Sequence, residues 1–97
     1  MAGTKRPPNR ALAALQDEAG WSNAQFAAAV NRLGPEASMR LNNDKSAVAH
    51  WLTGTLPIPR ARPLICEALA RRLRRPITTS AAGFGPTPET EMMVATA

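Results

Sequence analysis

Tyrosine is absent from this chain, and its 97 residues hold two tryptophans, two phenylalanines, one cysteine and one histidine. So few aromatic side chains argue against a sheet, whose faces are filled by β-branched and aromatic residues. The hydrophobic share of 44% leans instead on alanine, which suits closely packed short helices. One cysteine, Cys66, excludes an internal disulfide and a cysteine-rich metal cluster. It reads as a small core residue and a reduced thiol of a cytosolic protein. His50 has no second histidine or cysteine at ligand spacing, so no metal site is expected. No apolar run approaches the ~18 residues of a membrane span, and the opening "MAGTKRPPNR" lacks the apolar core of a secretory signal. Paired carboxylates and a glycine-rich phosphate loop are missing too, and Ser38, Ser46 and Ser80 have no base arranged to activate them. Neither catalysis, nor a cofactor, nor a small-molecule ligand is expected.

Acidic residues are few. Twelve Lys+Arg against seven Asp+Glu give a net charge of +5. From Phe84 onward there are two glutamates and no basic residue, so residues 1–83 set twelve bases against five acids, a surplus of +7. A small positive domain suits a polyanionic partner. The length allows one domain with a modest core, in which single apolar anchors count heavily.

Punctuation along the chain divides it into short helices. Residues 1–9, with Pro7 and Pro8, read as a flexible basic arm, residues 10–84 as the folded domain, and residues 85–97 as a flexible tail. In "NRALAALQDEAG", Asn9 can cap a helix whose Leu12 and Leu15 share a face and which Gly20 ends. In "WSNAQFAAAVNRLG", Ser22 and Gln25 form a capping box, and Trp21 and Phe26 stand at the positions of a hydrophobic staple. Phe26, Val30 and Leu33 continue the stripe up to Gly34-Pro35. Residues 35–43, "PEASMRLNN", read as an extended, partly irregular connection in which Pro35 can open a short turn. Asn43 or Asp44 caps a helix over residues 45–53, closed by Gly54. The last helix lies in "RARPLICEALARRLRR", with Ile65, Ala68, Leu69 and Leu73 as its stripe and Pro76 as its stop, and a final turn runs from Thr79 to Gly83. The expected fold is all-α: a compact bundle of four to five short helices.

At 100° per residue, Val48, Trp51 and Leu52 gather on one side of residues 45–53 and face the core. Ser46, Ala49, His50 and Thr53 collect on the other, with Lys45 at its edge. This face has no Glu–Lys pairing of the kind that keeps an ordinary surface helix soluble. It is small, polar and suited to close approach. The stretch "SNAQFAAAV…KSAVAHWLTGTLPIP…LICEALARRL" resembles the lambda-repressor/Cro-like helix-turn-helix family. There a helix-two "xQxxLAxxx" precedes a recognition helix ending in "W-x-x-G-x-x-x-P". Gln25, Phe26 and Ala27 match the first pattern, and Trp51, Gly54 and Pro57 or Pro59 answer the second, with one spacer fewer for Pro57. The run "VAHWLTG…P…EALARRLRRPIT…AGF" is similar to N-terminal DNA-binding domains of actinobacterial regulators. The likeness spans roughly residues 10–84. It departs in the connection: nine residues separate Gly34 from Asp44, where a usual turn has three or four.

The resemblance implies a helix-turn-helix bound in the major groove of double-stranded DNA, in a bacterial transcription regulator at the cytoplasmic nucleoid. A homodimer on a two-part operator would supply the specificity that a lone small domain rarely has. Lys45, Ser46, Ala49, His50 and Thr53 then face base edges: Lys45 toward guanine or phosphate, Ser46 toward several bases, Ala49 toward a thymine methyl. His50 donates or accepts, and its protonation would make binding sensitive to pH. Asn23 and Gln25 match the family's phosphate anchors, with Arg40, Asn42, Asn43, Thr55 and Arg60 as further backbone groups. Simpler roles compete at several of these positions. Gln25 serves capping as well as it serves phosphate binding, and Arg71 to Arg75 form a solvated helix end as readily as a DNA contact. For the domain as a whole, the rival is a protein-docking adaptor using Met92-Met93-Val94. Single-stranded RNA binding is weaker, for want of an aromatic platform.

Overall fold

A computed structural model describes residues 7–85, and over these the fold is all-α. Four helices follow in order: α1 (Arg10–Ala19), α2 (Asn23–Arg32), α3 (Lys45–Leu52) and α4 (Arg62–Leu73), with one turn of 3-10 helix over Pro35–Ala37 between α2 and α3. Met92, Met93 and Val94, all but Gly85 of the expected tail, and residues 1–6 of the expected arm lie outside the described residues.

Each of the first three helices begins where a polar side chain can satisfy a free backbone amide. The Asn9 Oδ1 accepts from Leu12 N–H at 3.0 Å, and Gly20, in the left-handed conformation, closes α1. The capping box at α2 forms in full: Ser22 Oγ accepts from Gln25 N–H at 3.2 Å, and Gln25 Oε1 accepts from Ser22 N–H at 2.9 Å. Between the capping alternatives for α3 it is Asp44 whose carboxylate accepts from Ala47 N–H, at 3.1 Å. Two helix ends differ from expectation. α3 stops at Leu52 and Thr53 is its C-cap, with the Thr53 hydroxyl donating to the His50 carbonyl at 2.8 Å. α4 stops at Leu73, three residues before Pro76, because Arg74 turns left-handed at φ 60°. That turn swings Arg75 out of the helix and toward Glu18 on α1.

The core is built around Phe26, which is fully buried together with Leu12, Val30, Val48, Ile65 and Leu69. Trp21 stacks on Phe26 with ring centroids 5.5 Å apart, and Trp51 meets it edge-on at 5.8 Å. Such pairs add about 0.5–1.5 kcal/mol beyond the area they bury. The Phe26–Trp51 pair fastens α2 to α3, the two helices that pack together most extensively. Ala82 and Phe84, at the end of the final turn, are also buried in this core.

The start of the fold is braced more heavily than a cap requires. Besides capping α1, Asn9 donates through Nδ2 to the Ala82 carbonyl at 2.9 Å, and its backbone N–H donates to the Leu52 carbonyl at 2.9 Å. Gly83, at φ +82°, lies so close that a Cβ there would stand 2.1 Å from Asn9 Oδ1. Asn9, counted in the expected arm, is therefore a junction of α1, α3 and the final turn.

Candidate nucleic-acid interface

The short α3 divides cleanly into two sides. Val48 and Trp51 are buried, while Lys45, Ser46, Ala49 and His50 are exposed. Positions i, i+1, i+4 and i+5 lie on one face of a helix, so these four side chains form one outward surface. Thr53, just past the helix, is exposed too, but its hydroxyl is occupied by the His50 carbonyl. The same carbonyl accepts from Thr55 N–H at 3.0 Å, which folds the chain back after the helix and leaves the Thr55 side chain in solvent. Arg60, on the loop that follows, is also exposed.

The connection that enters α3 is held at two points. At the first, Met39 N–H donates to the Gly34 carbonyl at 2.8 Å, and the approach is so close that a Cβ on Gly34 would lie 2.6 Å from the Met39 carbonyl oxygen. At the second, the Asn31 carboxamide takes both main-chain groups of Asn43: its Nδ2 donates to the carbonyl at 2.8 Å and its Oδ1 accepts from N–H at 3.0 Å. The Asn43 Nδ2 donates to the same Oδ1 at 3.1 Å. Arg40 and Asn42, between these points, are exposed.

The expected phosphate groups thus fall into two kinds. Arg40, Asn42, Thr55 and Arg60 project from the connection and loop on either side of α3. Asn23, Gln25 and Asn43 are bonded within the fold: Asn23 Oδ1 accepts from the buried Gln16 Nε2 at 2.7 Å, Gln25 completes the capping box, and Asn43 is held by Asn31. Asn31 and Gln16 are not legible in the sequence as site or core polar residues, because nothing in their own neighbourhood names their partners.

The ion pairs of the described fold gather around the end of α4. Arg71 holds Glu36 through both terminal nitrogens, at 3.0 and 2.8 Å, and Glu67 through Nε at 2.8 Å, while Arg75 holds Glu18. Those hydrogen bonds hold the Glu18 and Glu36 carboxyls below their ordinary pKa and raise the pKa of both arginines. Arg72 lies over the Trp21 ring and donates to the Ala19 carbonyl at 2.9 Å. Three of the basic residues at the end of α4 are thereby engaged within the protein. Arg40, Lys45 and Arg60 around α3 make no ion pair among the described residues, and neither do Arg10, Arg32, Arg62 and Arg74 elsewhere on the fold. The one carboxylate from residue 40 to residue 60, Asp44, is turned onto its own helix.

Fold and surface define a small all-α domain that exposes a short polar helix between two cationic flanks. The chain belongs to the SP15 N-terminal domain family, which matches it over residues 12–85. No curated protein and no solved structure matches the chain. Among the described residues no helix is long and apolar enough to cross a membrane, and no cluster of His, Cys, Asp or Glu has the make-up of a metal site.

Proposed function

We propose that this domain binds double-stranded DNA in a sequence-specific manner, as the reading module of a transcription regulator acting at the cytoplasmic nucleoid. The observation that carries the proposal is the division of α3: Val48 and Trp51 fix its underside while Lys45, Ser46, Ala49 and His50 stand exposed on a face without a carboxylate. A helix of this size fits the major groove, and its N-terminal residues meet base edges first. Lys45 and Ser46 supply donors, Ala49 a methyl for thymine, and His50 a donor or acceptor. Arg40, Asn42, Thr55 and Arg60 face the sugar–phosphate backbone on either side. The resemblance to lambda-repressor/Cro-like domains supports this pose, and a pair of copies on a two-part site would supply the specificity one small domain lacks.

The test replaces Lys45 and His50 by alanine, one at a time, and measures affinity and base preference on duplexes selected from a random library. A good bidentate base contact is worth about 1–3 kcal/mol of discrimination. The expected outcome is weaker binding for both variants with a changed preference at the contacted base pairs. Unaltered affinity and preference in both would sink the assigned face.

A second reading, a docking module for another protein, is favoured by a groove of about 420 Å³ lined by Trp21, Ala29, Leu33 and Ala68 and rimmed by arginines. Salt separates the two. DNA binding weakens by about 0.9 log units of affinity per neutralised phosphate for each log unit of salt, whereas docking in a groove whose lining mixes apolar side chains with Arg32, Glu36, Arg71 and Arg72 neutralises no phosphate and lacks that counterion-release slope.

A further inference from the structure

We infer that Asn31 is the positioning residue of this interface: by clamping the main chain of Asn43 it sets the pose in which Arg40 and Lys45 meet DNA. The inference rests on the DNA-binding reading above. The connection from Pro35 to Asn43 contains one turn of 3-10 helix and is otherwise irregular, so holding it in one shape opposes a large backbone entropy. The contact at Gly34 fixes only its beginning. Its end is fixed by the Asn31 carboxamide, which offers Asn43 one donor and one acceptor at 2.8 and 3.0 Å, the pairing that a neighbouring strand would give.

The clamp closes one residue before Asp44, the cap of α3, and two before Lys45. A shift of Asn43 therefore passes directly into the first turn of α3, where Lys45 and Ser46 stand. It also moves Arg40 and Asn42, which are suspended between the two anchors. Asn31 and Asn43 are both partly buried. Removing the carboxamide leaves main-chain groups without partners and favours a different path for the connection. Asn31 itself sits in α2, which the aromatic cluster fastens to α3 on the other side. Besides the Asn9 bond to Leu52 at its far end, three points thus orient α3: Trp51 beneath it, Gly34 at the start of the connection, and Asn31 at its end. This gives Asn43 a different part from that of a phosphate contact, since the group that matters is its main chain.

Because Asn31 is neutral, replacing it removes no charge from the protein, and a change in salt dependence reports displaced cations elsewhere. The experiment uses the full chain and a duplex selected on it, with affinities measured across a salt series at a temperature where circular dichroism shows native helicity. For Asn31→Ala the expected result is about tenfold weaker binding, ~1.4 kcal/mol, and a salt slope shallower by about 0.9 for each phosphate no longer neutralised. Asn31→Gln keeps a carboxamide one methylene out of place, and carries the test if the alanine variant fails to fold; the same direction of change is expected. Asn43→Ala removes one of the three bonds and leaves the main-chain pair, so it should bind within about threefold of wild type, under about 0.7 kcal/mol. Folded Asn31 variants with wild-type affinity and slope, or an Asn43→Ala variant weaker than Asn31→Ala, would overturn the inference. If Lys45→Ala weakens binding while the Asn31 variants do not, the clamp fails and the DNA reading stands. Salt-insensitive binding, or none, by the wild-type chain overturns both.

Discussion

Replacing Asn9 and Gly83, separately and together, tests whether the two ends of the fold are held by one junction. Asn9→Ala removes the cap on α1, about 1 kcal/mol, and strands the Ala82 carbonyl, about 1 kcal/mol more. The backbone bond from Asn9 to Leu52 survives. A total of ~2 kcal/mol corresponds to a fall in Tm of roughly 8–16 °C for a domain of this size. Gly83→Ala costs ~1–2 kcal/mol for the left-handed conformation. Its Cβ would also lie 2.1 Å from Asn9 Oδ1 and drive that side chain off both of its partners. The single Gly83 variant should therefore already include most of the Asn9 effect, for ~3–4 kcal/mol in all. Once Asn9 is alanine there is no carboxamide to displace, so the double variant should cost little more than Gly83→Ala alone, with a coupling near ~2 kcal/mol. Urea unfolding followed by far-ultraviolet circular dichroism, with a shared m value, supplies the four free energies. Effects that add to within ~0.5 kcal/mol would show that the two residues do not share a junction.

Two further outcomes follow from titratable groups. Burial pushes the Cys66 thiol up to about 11, so at pH 8 about one part in a thousand is thiolate and labelling by a disulfide reagent should await opening of the core; labelling at the rate of a free thiol would contradict this. The arginine hydrogen bonds hold Glu18 and Glu36 below the ordinary value of 4.5, so their stabilisation is complete above that value and disappears as pH falls through the lowered folded values. The urea midpoint should fall between about pH 5 and pH 3 and do so less steeply in a Glu18→Gln, Glu36→Gln chain; equal steepness in both chains would remove these pairs from the account.

The features legible in the sequence are those settled within one helical turn. The Asn9 cap, the Ser22–Gln25 box, the Trp21–Phe26 staple and the sidedness of α3 each depend on residues a few positions apart, and each forms. The end of α4 does not follow that rule. Pro76 is the evident stop, yet Arg74 ends the helix earlier and lets Arg75 reach a carboxylate 57 residues away in sequence. Asn31 and Asn43 show the same limit in the site. They are twelve residues apart across an irregular connection, and no periodicity pairs them. The arginines of α4 are ambiguous in sequence because a basic helix end looks alike whether solvent, DNA or Glu36 and Glu18 answers it.

The Asn9 junction also brings the two ends of the described fold together. Residue 9 and residue 82 are joined by a hydrogen bond, and Asn9, Gly83, Gly54 and Leu56 line one small cavity of about 140 Å³. The two ends of the described fold thus meet beside the spot where α3 ends. Asn9 and Ala82 are thereby held together beside the end of the helix whose exposed face carries the proposed DNA contacts.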